Sequence, residues 1–230
     1  MQKHYYLDSF IVEEVANKYK LLLRKFRTRE NGPAVDSMNR MGLKYKRNFG
    51  IALQELKEFA KEYHDDHEFA LFLWQKTSRE AKILSLMIAQ PDKLSKEQIS
   101  NYITGVNTSE LAEQASLNLL YEIPDSLNLA KEWCKNKDIY IRLTGLLILS
   151  RSALLNKKLS DSEFETFFNI LPEIAKENNF HIKRGLSRAL LQISKRNDIL
   201  KTKVSKFINS VNEYNKEMAS WLKEEVSYYI

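Results

Sequence analysis

Residues 142–149 read RLTGLLIL, and related segments begin at residue 79 (REAKILSL), residue 113 (EQASLNLL) and residue 183 (KRGLSRALL). Each segment opens with a charged residue and carries apolar residues about four and seven positions later. That spacing places the apolar side chains on one face of a helix. The segments recur at intervals of roughly 30 to 42 residues, which is typical of helices stacked between neighbours in an α-solenoid. A non-repetitive helical bundle has similar spacing and is the alternative.

The rest of the sequence also favours helices. Glycine and proline together supply only 10 of 230 residues, and no stretch alternates like a β-strand. We therefore expect an all-α fold, an α-solenoid of HEAT-like antiparallel helix pairs with a concave basic face. We expect a single repeat domain over residues 1–230, in which residues 1–50 form an N-terminal helical and basic loop region and residues 51–230 form the repeats. The first helix is predicted from about Ser9 to Arg27, and Pro172 should bend or start a helix.

Composition excludes several classes of protein. A hydrophobic fraction of 43% and a charged fraction of 29% exclude global disorder, and no segment is apolar enough for a membrane span. The residues that follow Met1 lack the basic-then-apolar order of a secretory signal, and Cys134 is the one cysteine, so no intrachain disulfide can form. We therefore expect the protein to be located in a reducing cytoplasm.

Positive charge is concentrated in two stretches. The net charge is +6; residues 18–47 hold ten bases and two acids, and residues 183–206 hold eight bases and one acid. Such density favours a polyanionic partner, although basic stretches are more often ordinary solvated faces. Lys44, Lys46 and Arg47 interleave with aromatic residues, which suits a loop that grips a phosphate backbone. At the starts of the inner helices, Arg79, Arg142 and Arg184 would line a concave face that fits a duplex.

Several standard site signatures are absent from the sequence. There is no Walker A loop, no Gly-rich dinucleotide turn, no nucleophile elbow and no zinc-type set of Cys and His residues, so we expect no cofactor and no metal. Residues 64–68 read HDDHE and could bind a divalent ion, but acids at a helix start more often cap the helix. Trp74 and Trp133 are more often core residues than exposed stacking residues.

Five further segments of the sequence are informative when they are taken together. They are residues 41–45 with 49–51, residues 66–74 followed by 79–80, residues 109–113, residues 140–142 and residues 182–184. Together they resemble the AlkD-like HEAT-repeat proteins of DNA alkylation repair, over most of residues 42–196. The resemblance implies a glycosylase of base excision repair that removes 3- and 7-alkylated purines, whose positive charge already makes the base a good leaving group.

The resemblance also implies site residues. The family's Trp-Asp-x-x-Asp element falls on Ser109, Glu110 and Glu113, so that Glu113 takes the place of the catalytic carboxylate and Ser109 departs from the family's Trp. The family's arginine falls on Arg142, with Tyr140 near the aromatic position. Glu113 would then stabilise charge at the anomeric carbon, and Arg142 would hold the lesion-strand phosphate or the attacking water. The alternative is that both glutamates belong only to the acidic first turn of a capped helix.

Three functions remain open at this point: an alkylpurine DNA glycosylase, an inactive family member that binds DNA structures, and a protein-binding α-solenoid. We expect double-stranded DNA, alkylated or not, as the partner, with no membrane, no nucleotide cofactor and a monomeric chain. The predicted DNA-binding residues are Lys44, Lys46, Arg47, Arg79, Lys82, Tyr140, Lys183, Arg184 and Arg188.

Overall fold

A computed structural model describes the backbone of residues 2–227 and the side chains of residues 13–226. Within this part of the chain there are fourteen α-helices and two short 3-10 helices, together with one isolated β-bridge between Arg47 and Ser78. The predicted all-α class is confirmed. None of the helices in the described part is both long and apolar enough to cross a membrane.

The first of two compact units spans residues 1–93. Its helices are α1 (Gln2–Thr28), α2 (Gly32–Arg40), α3 (Leu53–Glu62), α4 (His67–Trp74) and α5 (Arg79–Ile88), and a 3-10 turn follows at Pro91–Lys93. Helix α1 packs against α4, and α5 packs against both α3 and α4. Leu22, Phe26 and Phe69 are fully buried in this packing.

The basic run of residues 18–47 is partly neutralised within this unit. Three of its bases pair with acids on α3 or at the start of α4: Lys18 with Asp66 (2.8 Å), Lys25 with Glu62, and Arg29 with Glu55 (2.9 Å). Half-exposed pairs of this kind add little stability. They do show that part of the charge expected to face a polyanion instead joins α1 to its neighbours.

The second unit spans residues 94–230. Its helices are α6 (Lys96–Thr104), α7 (Ser109–Asn118), α8 (Ser126–Cys134), α9 (Ile139–Leu155), α10 (Asp161–Glu165), α11 (Leu171–Ile174), α12 (Phe180–Ser194), α13 (Asp198–Val211) and α14 (Lys216–Ser227), with a 3-10 turn at Thr166–Asn169. Helix α9 is central and packs against α7, α8 and α12, while α12 also contacts α13 and α14. The segments that share the repeated pattern in this unit are therefore neighbours in space.

Helices α8 and α9 approach each other closely at Gly145. A Cβ atom at this position would lie 2.7 Å from the carbonyl oxygen of Ala130 and 2.9 Å from the backbone nitrogen of Cys134. Both are backbone atoms, which cannot move aside as the tip of a side chain can. The glycine therefore permits the close packing that sets α9 against α8.

Local signals in the sequence located several helix boundaries. Helix α1 ends one residue beyond the predicted Arg27 but begins at Gln2, well before the predicted Ser9. Pro172 is the second residue of α11, as expected of a residue that starts a helix. Ser95 forms a capping box at the start of α6. The grouping of the repeats into a single domain stays a prediction.

Candidate nucleic-acid interface

Helices α7, α9 and α12 bring residues near their N-termini to one surface of the second unit. A side-chain cap fixes each first turn: Thr108 accepts from the N–H of Leu111 (3.1 Å), Asp138 from that of Tyr140 (2.8 Å), and Asn179 from that of His181 (2.9 Å). A small cavity between these helices is lined by residues of all three. We call this surface the α7–α9–α12 face, and define it by Ser109, Glu113, Tyr140, His181, Arg184 and Arg188.

The central interaction on this face is an ion pair between α7 and α12. Nη1 of Arg188 donates to Oε1 of Glu113 at 3.0 Å, and the two side chains are 44% and 42% exposed. A pair this open to water is worth no more than about 1 kcal/mol. An incoming phosphate could therefore take Arg188 from Glu113 at little cost.

Aromatic rings lie beside the ion pair. The Tyr140 and His181 rings are 6.0 Å apart, and the Phe180 ring lies 5.8 Å from His181 and 6.0 Å from Trp221. The guanidinium of Arg184 lies 5.6 Å from the centre of the Phe180 ring. Phe180 is nevertheless 54% exposed, so an apolar ring lies next to the positive charge of the face.

Arg142 does not join Glu113. Its Nε and Nη2 donate to the carbonyl oxygen of Asn136 at 2.9 and 2.6 Å, and its Nη1 pairs with Glu177. Its side chain is only 14% exposed and lines a separate cavity that also contains Cys134. The expected catalytic pair is therefore not assembled, because Arg142 ties the start of α9 to the chain before it and to the segment after α11.

The basic loop before α3 belongs to the first unit. Lys44, Lys46 and Arg47 are exposed, as a phosphate-binding role requires. Arg47 lies 4.4 Å above the ring of Phe49 and 3.7 Å from Glu30. Phe49, one of the aromatic residues interleaved with these bases, is buried against Phe26 with ring centres 5.3 Å apart, so its ring belongs to the core.

The family model described as "DNA alkylation repair enzyme" matches residues 22–230. The chain belongs to this family. The resemblance inferred from the five sequence segments is confirmed, since the match covers all of them.

The chain is also similar to a solved structure from "a new family of proteins related to the HEAT-like repeat DNA glycosylases with affinity for branched DNA structures". The TM-score is 0.73 at 16% sequence identity, and the alignment covers 84% of this chain and 82% of that chain. At this identity the similarity establishes the fold, and it confirms the predicted HEAT-like class. No curated protein matches the chain significantly.

Arg79 requires a correction, because it is a core residue instead of a phosphate ligand. Its side chain is 1% exposed, and its Nη1 donates to the carbonyl oxygen of Ile51 (2.9 Å) and to Oε1 of Glu80 (3.2 Å). Glu80 is fully buried and also accepts from the N–H of Phe49 (3.1 Å). The buried pair of Arg79 and Glu80 therefore anchors the end of the basic loop to α5.

Two predicted lysines are also committed to contacts within the protein. Lys183 is buried and pairs with Glu217 of α14, so it is not available to a phosphate in this structure. Lys82 is half-buried, with its Nζ 4.1 Å above the Trp74 ring and 3.2 Å from the Trp74 carbonyl oxygen. Burial lowers the pKa of Lys82 from its usual value. Of the basic residues predicted on the inner helices, Arg184 and Arg188 alone are exposed.

Two aromatic residues on or next to the face could not be found from the sequence. The hydrophobic periodicity of α12 indicates only its apolar stripe, which runs through Ile182, Leu186 and Ala189, and does not identify Phe180 and His181. Phe180 lies off that stripe and directly follows the N-cap residue Asn179. An aromatic residue outside the apolar stripe of a helix is the sequence signal that could have identified it. Trp74 and Trp133 are both buried, in agreement with the core interpretation.

Proposed function

We propose that this member of the DNA alkylation repair family binds DNA through the α7–α9–α12 face. The observation that carries the proposal is the pair of exposed arginines, Arg184 and Arg188, on one side of α12. Guanidinium groups bind phosphate oxygens in a bidentate manner, and such contacts supply most sequence-independent affinity for DNA. The affinity for branched DNA stated for the structurally similar family supports the same proposal.

Salt dependence tests this proposal quantitatively. Each phosphate contact contributes about 0.9 to the slope of log affinity against log salt concentration, so two arginines should contribute about 1.8. Between about 50 and 200 mM salt, that share corresponds to roughly a twelvefold loss of affinity. The R184A/R188A double variant should show a slope that is shallower by about this amount.

The matched control removes the same charge from elsewhere in the second unit. Lys157 and Lys158 are exposed in the loop between α9 and α10, away from the α7–α9–α12 face. The K157A/K158A variant should keep the wild-type slope. Equal slopes for R184A/R188A and the wild type would show that DNA does not bind at this face.

Glycosylase activity is a second candidate function, favoured by the position of Glu113. This carboxylate takes the family's catalytic position and lies half-exposed on the proposed DNA-binding face. In the proposed reaction the N-glycosidic bond breaks, the cationic alkylpurine leaves as a neutral base with the bonding electron pair, and water adds to the sugar carbon. Glu113 stabilises the positive charge that develops on the sugar and accepts the proton of the attacking water.

In this mechanism Arg188 takes the role that the resemblance gave to Arg142. Because Arg142 is held by Asn136 and Glu177, we assign the phosphate beside Glu113 to Arg188.

The test of glycosylase activity is release of 3-methyladenine and 7-methylguanine from methylated duplex DNA, measured against spontaneous depurination. Glu113→Gln should lower the rate on the order of 10²-fold while DNA binding persists. Glu97→Gln makes the same charge change at an exposed residue of α6, outside the α7–α9–α12 face, and should retain the rate; full activity in Glu113→Gln would exclude the mechanism.

A further inference from the structure

Phe180, Arg184 and Arg188 form one ridge along α12. Residues four apart lie on the same side of a helix, and at 1.5 Å per residue the ridge is about 12 Å long from the first position to the last. All three side chains are exposed. An aromatic ring followed by two guanidinium groups is the combination that binds single-stranded nucleic acid, where rings stack on bases and cations follow the backbone.

The surroundings of Phe180 leave its ring able to stack. The Phe180 side chain is 54% exposed, and the planes of the His181 and Trp221 rings lie at 66° and 78° to its own, so neither ring is stacked on it. The Arg184 guanidinium lies over the ring at 5.6 Å and would move to a phosphate when a base stacks there. A single exposed apolar residue is ordinary on a protein surface. Here the residue lies beside Arg184 and in line with Arg188, and this charge complementarity to a nucleotide strand argues for a specific occupant.

We propose that Phe180 stacks on an unpaired base of a DNA strand whose phosphates bind Arg184 and Arg188. The preferred substrate class is then DNA in which a single-stranded segment adjoins duplex. In an intact duplex the faces of each base are covered by its neighbours, so Phe180 would find a partner only after a base is unstacked. This inference rests on the proposed DNA binding and adds the kind of DNA that binds best.

The test compares a blunt duplex with the same duplex carrying a short single-stranded tail, by fluorescence anisotropy at fixed salt. The wild type should bind the tailed DNA more tightly. Phe180→Ala should weaken binding to the tailed DNA about tenfold and leave binding to the blunt duplex unchanged, because the stacking contribution is lost from the tail alone. Phe180→Leu keeps apolar bulk against Trp221 without the ring and should behave like Phe180→Ala. Phe180→Trp keeps an aromatic ring and should bind the tailed DNA as tightly as the wild type.

Tyr214→Ala is the matched control, since Tyr214 is an aromatic residue 43% exposed in the turn after α13. It should bind both DNAs like the wild type. A 2-aminopurine base in the tail gives a direct readout, because stacking quenches its fluorescence; the quenching should appear with the wild type and be lost in Phe180→Ala. Unchanged tail affinity in Phe180→Ala, or an equal loss on both DNAs, would overturn the stacking proposal while DNA binding stands. Failure of the wild type to bind either DNA would overturn the proposed function as well.

Discussion

Replacing Glu80 with alanine should sharply destabilise the first unit. The Glu80 carboxylate is fully buried and accepts hydrogen bonds from Nη1 of Arg79 (3.2 Å) and the N–H of Phe49 (3.1 Å). Without it, the buried Arg79 guanidinium keeps the carbonyl oxygen of Ile51 as a partner but loses its adjacent negative charge. The N–H of Phe49 loses the acceptor at 3.1 Å at the same time.

The expected loss follows from the burial of the pair. Removing one partner of a buried ion pair costs about 3–5 kcal/mol, against a total stability of about 5–15 kcal/mol for a typical domain. The double variant Arg79→Met with Glu80→Leu removes both charges together and should lose much less, because no uncompensated charge remains. Glu58→Ala removes a 55%-exposed carboxylate that pairs with Lys61, and should cost less than about 1 kcal/mol.

Urea unfolding can report on the first unit alone. Trp74 is the tryptophan of that unit, and Trp133 and Trp221 can be replaced by phenylalanine so that fluorescence follows Trp74. With an m-value of about 2 kcal/mol/M, Glu80→Ala should lower the urea midpoint by about 2 M. A decrease below about 0.5 M would refute the view that the buried Arg-Glu pair anchors this unit.

Three further outcomes can be checked separately. Glu113→Gln should tighten DNA binding up to about fivefold in anisotropy titrations, because it removes the carboxylate that competes with phosphate for Arg188; weaker binding would contradict this. Burial raises the pKa of the Cys134 thiol to about 12, so the native protein should resist a thiol reagent at pH 8 and react only after unfolding, and fast native labelling would disprove that burial. Gly145→Ala should lower the free energy of unfolding by about 1 kcal/mol or more, since its Cβ would approach the Ala130 carbonyl oxygen at 2.7 Å, and a rise in stability from the better helix propensity of alanine would show that the helices separate easily.

Helix positions were predictable because their signals are local. Caps such as Ser95 and Thr108 lie next to the turns they stabilise, and Pro172 affects the helix that contains it. The repeated pattern likewise needs only a few turns of sequence. From these signals the class and several helix starts follow without knowledge of which helices touch.

The roles of the basic residues were not predictable in the same way. Arg79 and Arg142 open their segments in equivalent positions, but their partners include Ile51, 28 residues before Arg79, and Glu177, 35 residues after Arg142. Lys183 and Arg184 are adjacent in the sequence, yet one is buried against Glu217 and the other is exposed. A rotation of about 100° per residue separates the two environments, and a charge pattern without contacts cannot assign them.

The burial of these residues changes how the face would work. With Arg142 held elsewhere, Arg188 is the arginine beside the candidate catalytic carboxylate, and it is also a proposed phosphate ligand. Capture of a phosphate by Arg188 and the release of Glu113 from its ion pair would then be one event. In such an arrangement the carboxylate becomes available to a sugar only when a DNA strand is in place, and the free energy of the ion pair sets the coupling between binding and chemistry. The gain in DNA affinity of Glu113→Gln, expected to be at most about fivefold, would measure the strength of that coupling.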